Sequence, residues 1–207
     1  MQQVSKIEKL PLPGVRSHVL MTPEVRKQEL LNYDYKQNNP KLAAVLSLFY
    51  PDVDFNTELL LILRKTYKGV HSNQIAFPGG KPEPEDGSIL QTALRETEEE
   101  VGVKPHQIKV LKQMTPVYIP PSNFEVHPFI GVANEPLTFV RQLSEVEAIV
   151  RVKLTDFMND DLIFEQELST SYAKNIKVPA FQLNGYVVWG ATAMMLNEIK
   201  TLLNEVL

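Results

Sequence analysis

An α/β fold, with a mixed β-sheet covered by helices in a single domain, is the architecture that this sequence predicts. Three observations lead there. Apolar, β-compatible runs crowd the middle of the chain, helical patterns stand at both ends and once inside, and 207 residues suffice for one good hydrophobic core.

In chain order, "PEVRKQELLNY" (23–33) reads as a short polar helix with Pro23 in its first turn. "KLAAVLSLFY" (41–50) and "TELLLILRK" (57–65) read as two strands joined across "PDVDFN", with buried residues on both faces. Residues 66–87 are rich in Gly, Pro and polar side chains and read as a loop, apart from a brief "QIAF". A helix starts near Ser88, which stands three residues before Gln91 as in a capping box, with Asp86 as an alternative cap. Gly102 followed by Pro105 stops it. "IKVLKQMTPVYIP" (108–120), "FEVHPFIGVA" (124–133), "LTFV" (137–140) and "EAIVRVKL" (147–154) are further strand candidates, and 154–162 holds one or two helical turns. In "VPAFQLNGYVVWG" (178–190), Asn184-Gly185 suits a type I′ hairpin turn. "TAMMLNEIKTLLNEVL" has apolar residues at helical spacing and closes the chain as an amphipathic helix.

Composition narrows the function. A formal net charge of −4 argues against a nucleic-acid partner, which selects a basic excess. With no cysteine, disulfides, thiolate metal sites and a cysteine nucleophile are excluded. No apolar run is long enough to span a membrane and no secretory-type leader stands at residues 1–20, so the cytoplasm is the expected compartment. His71 and His127 lack a second ligand at zinc spacing. Ser72 and Ser122 lack visible His–Asp partners for nucleophilic chemistry. Trp189 and Tyr186 are candidates to stack on a base, or to pack at the hairpin.

The chemistry concentrates in "RETEEEVGV". At about 100° per residue, Glu96, Glu99 and Glu100 share one arc of the helix, while Glu98 lies elsewhere and Leu90, Leu94 and Val101 form an anchoring apolar sector. Like charges so placed repel by about 0.2–0.5 kcal/mol per pair, which water or a cation must relieve. Three carboxylates on one arc are hard oxygen ligands suited to Mg²⁺ or Mn²⁺, although an isolated "EEE" is more often a solvated face. Arg95 borders the arc and can fix a carboxylate by bidentate hydrogen bonds. Gly79 and Gly80 let backbone approach a ligand closely.

Read together, "G-x5-D-x8-RETEEEVGV" from Gly80 resembles the signature of the Nudix hydrolases, G-x5-E-x7-R-E-U-x-E-E-x-G-U with U aliphatic. It departs at Asp86, with one extra residue before Arg95, and at Thr97. The upstream segment resembles L-L-x-x-R-[SA]-x3-R-x3-G-x3-F-P-G-G, a pattern of the coenzyme A-directed branch, through Leu60, Leu61, Arg64 and Phe77-Pro78-Gly79-Gly80. There the departures are Lys65, Gly69 in place of Arg, and Asn73 in place of Gly. "TPVYIPPSNFEVHPFIG" and "VVWGATAMML" are also similar to segments of that branch, so the likeness runs from about residue 20 to the end.

The resemblance implies a Nudix-type α/β/α sandwich carrying a loop–helix–loop catalytic motif, one domain over 1–207 with an N-terminal extension at about 1–38. It implies Glu96, Glu99 and Glu100 as ligands of Mg²⁺ or Mn²⁺, a backbone contribution from Gly80, and Arg95 as the residue orienting a glutamate. Glu145 is an outside candidate for the base, weighed against a solvated loop carboxylate. Arg64, Lys68 and Lys81 are candidates to hold the 3′-phosphate of a coenzyme A-like substrate, Arg64 weighed against a plain strand-end charge, with Phe77, Gly79 and Gly80 shaping the loop around them. The implied reaction is hydrolysis of a pyrophosphate in coenzyme A or a derivative, giving 3′,5′-ADP and 4′-phosphopantetheine or its acyl form. Alternatives are a Nudix hydrolase for NADH or ADP-ribose, and a non-catalytic nucleotide sensor. The partner is a small nucleotide, with no nucleic acid and no membrane, and a homodimer is left open.

Overall fold

The structure, a computed structural model, describes residues 2–32, 34–66, 73–168 and 176–207. Its main sheet is built on β1 (Lys41–Pro51), which pairs in parallel with β7 (Phe124–Val132) and antiparallel with β2 (Thr57–Arg64). Around these lie β3 (Ile75–Ala76), β4 (Gly79–Gly80), β5 (Lys109–Gln113), β6 (Val117–Ile119) and β8 (Val146–Lys153), making a mixed eight-stranded sheet. One parallel pair among antiparallel ones is what makes it mixed.

Both faces of β1 are buried, as the uninterrupted apolar run predicts. Ala44, Leu46, Leu48 and Tyr50 point to one side, where α4 (Ile89–Val101) covers them through Ala93 and Val101. Phe49, with Leu59 and Leu61 of β2, faces the other side, against α6 (Gly190–Asn204) and the small sheet. The arrangement is an α/β/α sandwich, the fold class expected.

Several elements differ from the sequence reading. Instead of one sheet there are two, because β9 (Ile163–Leu168), which has no counterpart among the expected strands, joins β10 (Ile176–Leu183) and β11 (Tyr186–Trp189) in a separate three-stranded sheet. "LTFV" is not a strand. Its backbone serves the end of α4 instead: the Val140 N–H donates to Val101 O at 3.0 Å and the Gln142 N–H to Glu100 O at 3.0 Å. "IKVLKQMTPVYIP" breaks into β5 and β6 at Pro116, which has no N–H for the ladder.

The N-terminal segment holds more structure than the one predicted helix. α1 (Gln2–Ser5), a 3₁₀ turn (Lys6–Lys9) and α2 (Val15–Val19) precede α3 (Glu24–Asn32). These pieces are too short for periodicity to reveal, yet they bury Val4 and Ile7 in the core. The turns at 154–162 are present as α5 (Leu154–Met158) and a 3₁₀ turn. At the hairpin tip Asn184 and Gly185 both take positive φ, 49° and 83°, as a type I′ turn requires.

Candidate active site

The site is built where the loop 77–81 lies against α4. Ser88 caps that helix, its hydroxyl accepting from the Gln91 N–H at 3.2 Å, and Gly102 ends it in the left-handed conformation at φ 77°. Asp86, the alternative cap, is engaged elsewhere. Its carboxylate receives the Arg95 fork, Nε and Nη2 each at 3.0 Å, and the Thr92 hydroxyl at 2.9 Å. These bonds, those from Arg95 foremost, hold Asp86 well below the usual carboxylate range. A shorter acid at the signature position therefore still reaches its arginine.

From that anchorage Arg95 reaches the acidic arc. Its Nη1 donates to Glu99 at 3.0 Å, and its Nη2 to Glu96 at 3.2 Å and to Lys81 O at 2.9 Å. Glu98, off the arc as expected, pairs with Lys104 at 2.6 Å. Thr97 occupies the aliphatic position of the signature and is fully buried, its hydroxyl satisfied by Ala93 O at 2.7 Å.

The glycines act through close approach. A Cβ on Gly79 would lie 2.2 Å from Ala44 O, and its φ of 154° adds strain for any side chain. Freed from that clash, the Gly79 N–H donates to Glu100 Oε2 at 2.9 Å. A Cβ on Gly80 would lie 2.2 Å from Glu96 Oε1, so the loop backbone presses directly on a carboxylate.

Burial tunes these acids. Glu100 is 1% exposed, and desolvation raises its pKa to about 7 against the opposing pull of the Gly79 N–H and Arg64. Its Oε1 is buried with no hydrogen bond, the Arg64 guanidinium standing 3.6 Å away. Desolvation also raises Glu96, partly offset by Arg95, and the charges of Glu99 and Glu145 add to that rise. Glu145 thus belongs to the electrostatic surroundings of the cluster. It sits beside the site because Lys65 binds its segment, through Lys65 N–H to Glu145 O at 2.8 Å and Lys65 Nζ to Leu143 O at 2.6 Å.

Among the described residues no three acidic or histidine side chains close around a single point. Glu96 and Glu99 are both engaged by Arg95, and Glu100 by the loop. The donors nonetheless fit a hard divalent cation: they are oxygens throughout, and one is a buried carboxylate oxygen that accepts no hydrogen bond and has only the Arg64 guanidinium, at 3.6 Å, near it.

A cavity of about 860 Å³ opens beside the cluster. Arg64, Phe77, Gly79, Gly80, Lys81 and Glu145 all line it. Among the described residues four cations line it, Arg26 paired with Glu29, Arg64 beside Glu100, Lys65 and Lys81, against the single lining acid Glu145, which suits an anion despite the chain's net charge of −4. Lys81 also lies 5.5 Å from the Phe124 ring centroid. Apolar side chains share the wall, among them Met21, Leu30, Met194 and Met195, and Trp189 lines it too. Sequence reading assigned none of the first four to a site: Met21 and Leu30 carry no motif, and Met194 and Met195 entered only within "VVWGATAMML".

Tyr186 packs against the core, away from the lining. His127 Nδ1 meets Gln113 at 2.9 Å, and Ser122 donates weakly to Ile119 O at 3.4 Å. Lys68, Gly69, His71 and Ser72 lie outside the described residues. Asn73, standing for a glycine of the upstream pattern, takes φ 57°, a conformation that asparagine tolerates best among residues with a side chain.

A cavity lined by cations thus stands beside a glycine loop and an acidic helix. The chain belongs to the Nudix hydrolases: the NUDIX domain pattern matches residues 43–168, and the protein is a Nudix pyrophosphohydrolase. Members of the family generally use divalent metal ions. Among its relatives, a protein of Yersinia enterocolitica named "Uncharacterized Nudix hydrolase NudL" is 31% identical over 146 residues, covering 70% of this chain and 74% of its own. The "Peroxisomal coenzyme A diphosphatase ndx-8" of Caenorhabditis elegans is 29% identical over 172 residues, with 82% and 72% covered. Among solved structures, the Nudix hydrolase RenU of M. smegmatis is 24% identical with a TM-score of 0.46, covering 55% of this chain and 71% of its own.

Proposed function

We propose that this chain hydrolyses the pyrophosphate of coenzyme A or a derivative, giving 3′,5′-ADP and 4′-phosphopantetheine or its acyl form. The observation that carries this reading is the mixed lining of the cavity, where Arg64, Lys65 and Lys81 share the wall with apolar side chains that include Met21, Met194 and Met195. A substrate with a charged pyrophosphate and a long, largely uncharged arm matches both kinds of lining. The name of the C. elegans relative points the same way.

In this reading Glu96, Glu99 and Glu100, with the Gly80 backbone, hold Mg²⁺ or Mn²⁺. Such an ion would neutralise the pyrophosphate and lower the pKa of a bound water. Arg64 and Lys81 bind phosphate oxygens, and Lys68 is proposed to join them. Arg95, anchored on Asp86, orients Glu99 and Glu96. Glu145 takes the proton of the attacking water as the new P–O bond forms. The bridging P–O bond breaks, and its electron pair leaves on the departing phosphate, which is protonated from solvent.

A panel of coenzyme A, NADH and ADP-ribose with Mg²⁺ or Mn²⁺, products separated by chromatography, tests this. Coenzyme A should be cleaved to two phosphorylated products. Coenzyme A left intact while NADH or ADP-ribose is cleaved would replace this substrate with the alternative. Among the described residues no helix is long and apolar enough to cross a membrane, and we place the activity in the cytoplasm as part of the same proposal.

A further inference from the structure

Away from the acidic helix lies a second buried carboxylate that the chemistry above does not use. Glu198, in the middle of α6, is fully buried. It accepts from the Gly14 N–H at 3.0 Å, from His18 Nε2 at 3.2 Å, from the Thr115 N–H at 3.2 Å and from the Thr115 hydroxyl at 2.5 Å. Next to it Asn197 donates to Ser17 O at 2.8 Å, and Thr22 donates to His18 O at 2.9 Å. One point on α6 therefore pins the stretch 14–22 to the body of the protein and to the β5–β6 connection.

The position of that point matters for the cavity. Met194 and Met195 stand four and three residues before Glu198, one helical turn away, and both line the cavity. Met21, Thr22 and Pro23 follow directly on the pinned stretch and line the cavity, continued by Leu30 and the cation Arg26 of α3. Part of the cavity's wall thus comes from a segment that has no strand pairing of its own. Short helices do not hold themselves in place. The hydrogen bonds to α6 fix where this wall stands.

We infer that Glu198 is a positioning residue that holds residues 14–30 as the wall receiving the long uncharged arm of the substrate, while leaving the pyrophosphate end untouched. The inference rests on the reading of this cavity as the substrate site.

Glu198→Gln keeps the shape and removes the charge that all four donors face. With coenzyme A the variant should show KM raised about tenfold and kcat within about threefold of wild type. With ADP-ribose, which has no long arm, KM should move less than about threefold. A fall in kcat shared by both substrates, or no change for either, would overturn the inference. Asn197→Ala, which removes a single bond to the same stretch, should show the same pattern at smaller size, and it takes over the test if Glu198→Gln does not fold by circular dichroism.

A binding measurement separates this from the choice of substrate. Trp189 is the only tryptophan of the chain and lines the cavity, so its fluorescence reports occupancy. Octyl phosphate should bind wild type at least about tenfold more tightly than inorganic phosphate, and Glu198→Gln should lose most of that advantage. If coenzyme A is not cleaved but the octyl phosphate advantage depends on Glu198, the substrate reading falls and the wall stands. If the advantage is the same in both proteins, or absent in wild type, the wall falls.

Discussion

Arg95 shows how much of this site is decided by single side chains. Its planar fork is filled on one side by Asp86 and reaches Glu99 and Glu96 on the other, so the arginine is fixed before it fixes anything else. Lysine could not reproduce that geometry. Glu99 is more exposed than Glu96, with 46% of its side chain accessible against 14%, so it can change partner without unfolding anything. Glu99→Gln is accordingly expected to lower the hydrolysis rate at least about 10²-fold while leaving the thermal transition in place. Turnover equal to wild type would remove Glu99 from the machinery. The grouping of Glu96, Glu99 and Arg95 was legible in the sequence because helical spacing alone sets which of them share an arc. The orphaned oxygen of Glu100 was not, since its burial depends on the loop folding over it.

At the scale of the element, α4 carries one departure from the signature that the packing explains. Thr97 is buried in the helix, where a hydroxyl is tolerated only because Ala93 O accepts its proton. Valine fills the same space and needs no acceptor, and the Ala93 carbonyl keeps its helical partner. Thr97→Val should therefore shift the free energy of urea unfolding by less than about 1 kcal/mol and leave activity unchanged. A loss well beyond that would mean that the hydroxyl is needed for more than self-satisfaction. The boundaries of α4 were readable because Ser88 and Gly102 are local signals. The fate of "LTFV" was not, because the carbonyl that claims the Val140 N–H belongs to the end of α4, in a distant part of the chain.

At the scale of the whole molecule, Glu198 ties the start of the chain to its end. Burial pushes its pKa up, but hydrogen bonds from His18, Thr115 and Gly14 outweigh that and hold it below the ordinary glutamate value. A depressed carboxyl contributes stability above its unfolded pKa of about 4.3 and loses it as the pH falls through the folded value. Unfolding free energy should thus drop more steeply between about pH 5 and about pH 3 in wild type than in Glu198→Gln. Equal slopes in the two proteins would show that this carboxylate carries no folding-linked proton. Nothing in "LNEIK" marks Glu198 as buried, and its His18 partner lies 180 positions away.

The sequence by itself determined the α/β class, the strands of the main sheet's centre, the hairpin turn, and an acidic helix beside a glycine loop. All of these are written in local periods and turn chemistry, which act over a few residues. Only the tertiary structure decided that the strands divide into two sheets, that a segment beyond α4 caps its end, that residues 21–30 help to line a cavity, and that one buried glutamate ties Gly14 and His18 to the last helix. Those outcomes depend on contacts between distant parts of the chain, where burial sets the energies and sequence spacing carries no information.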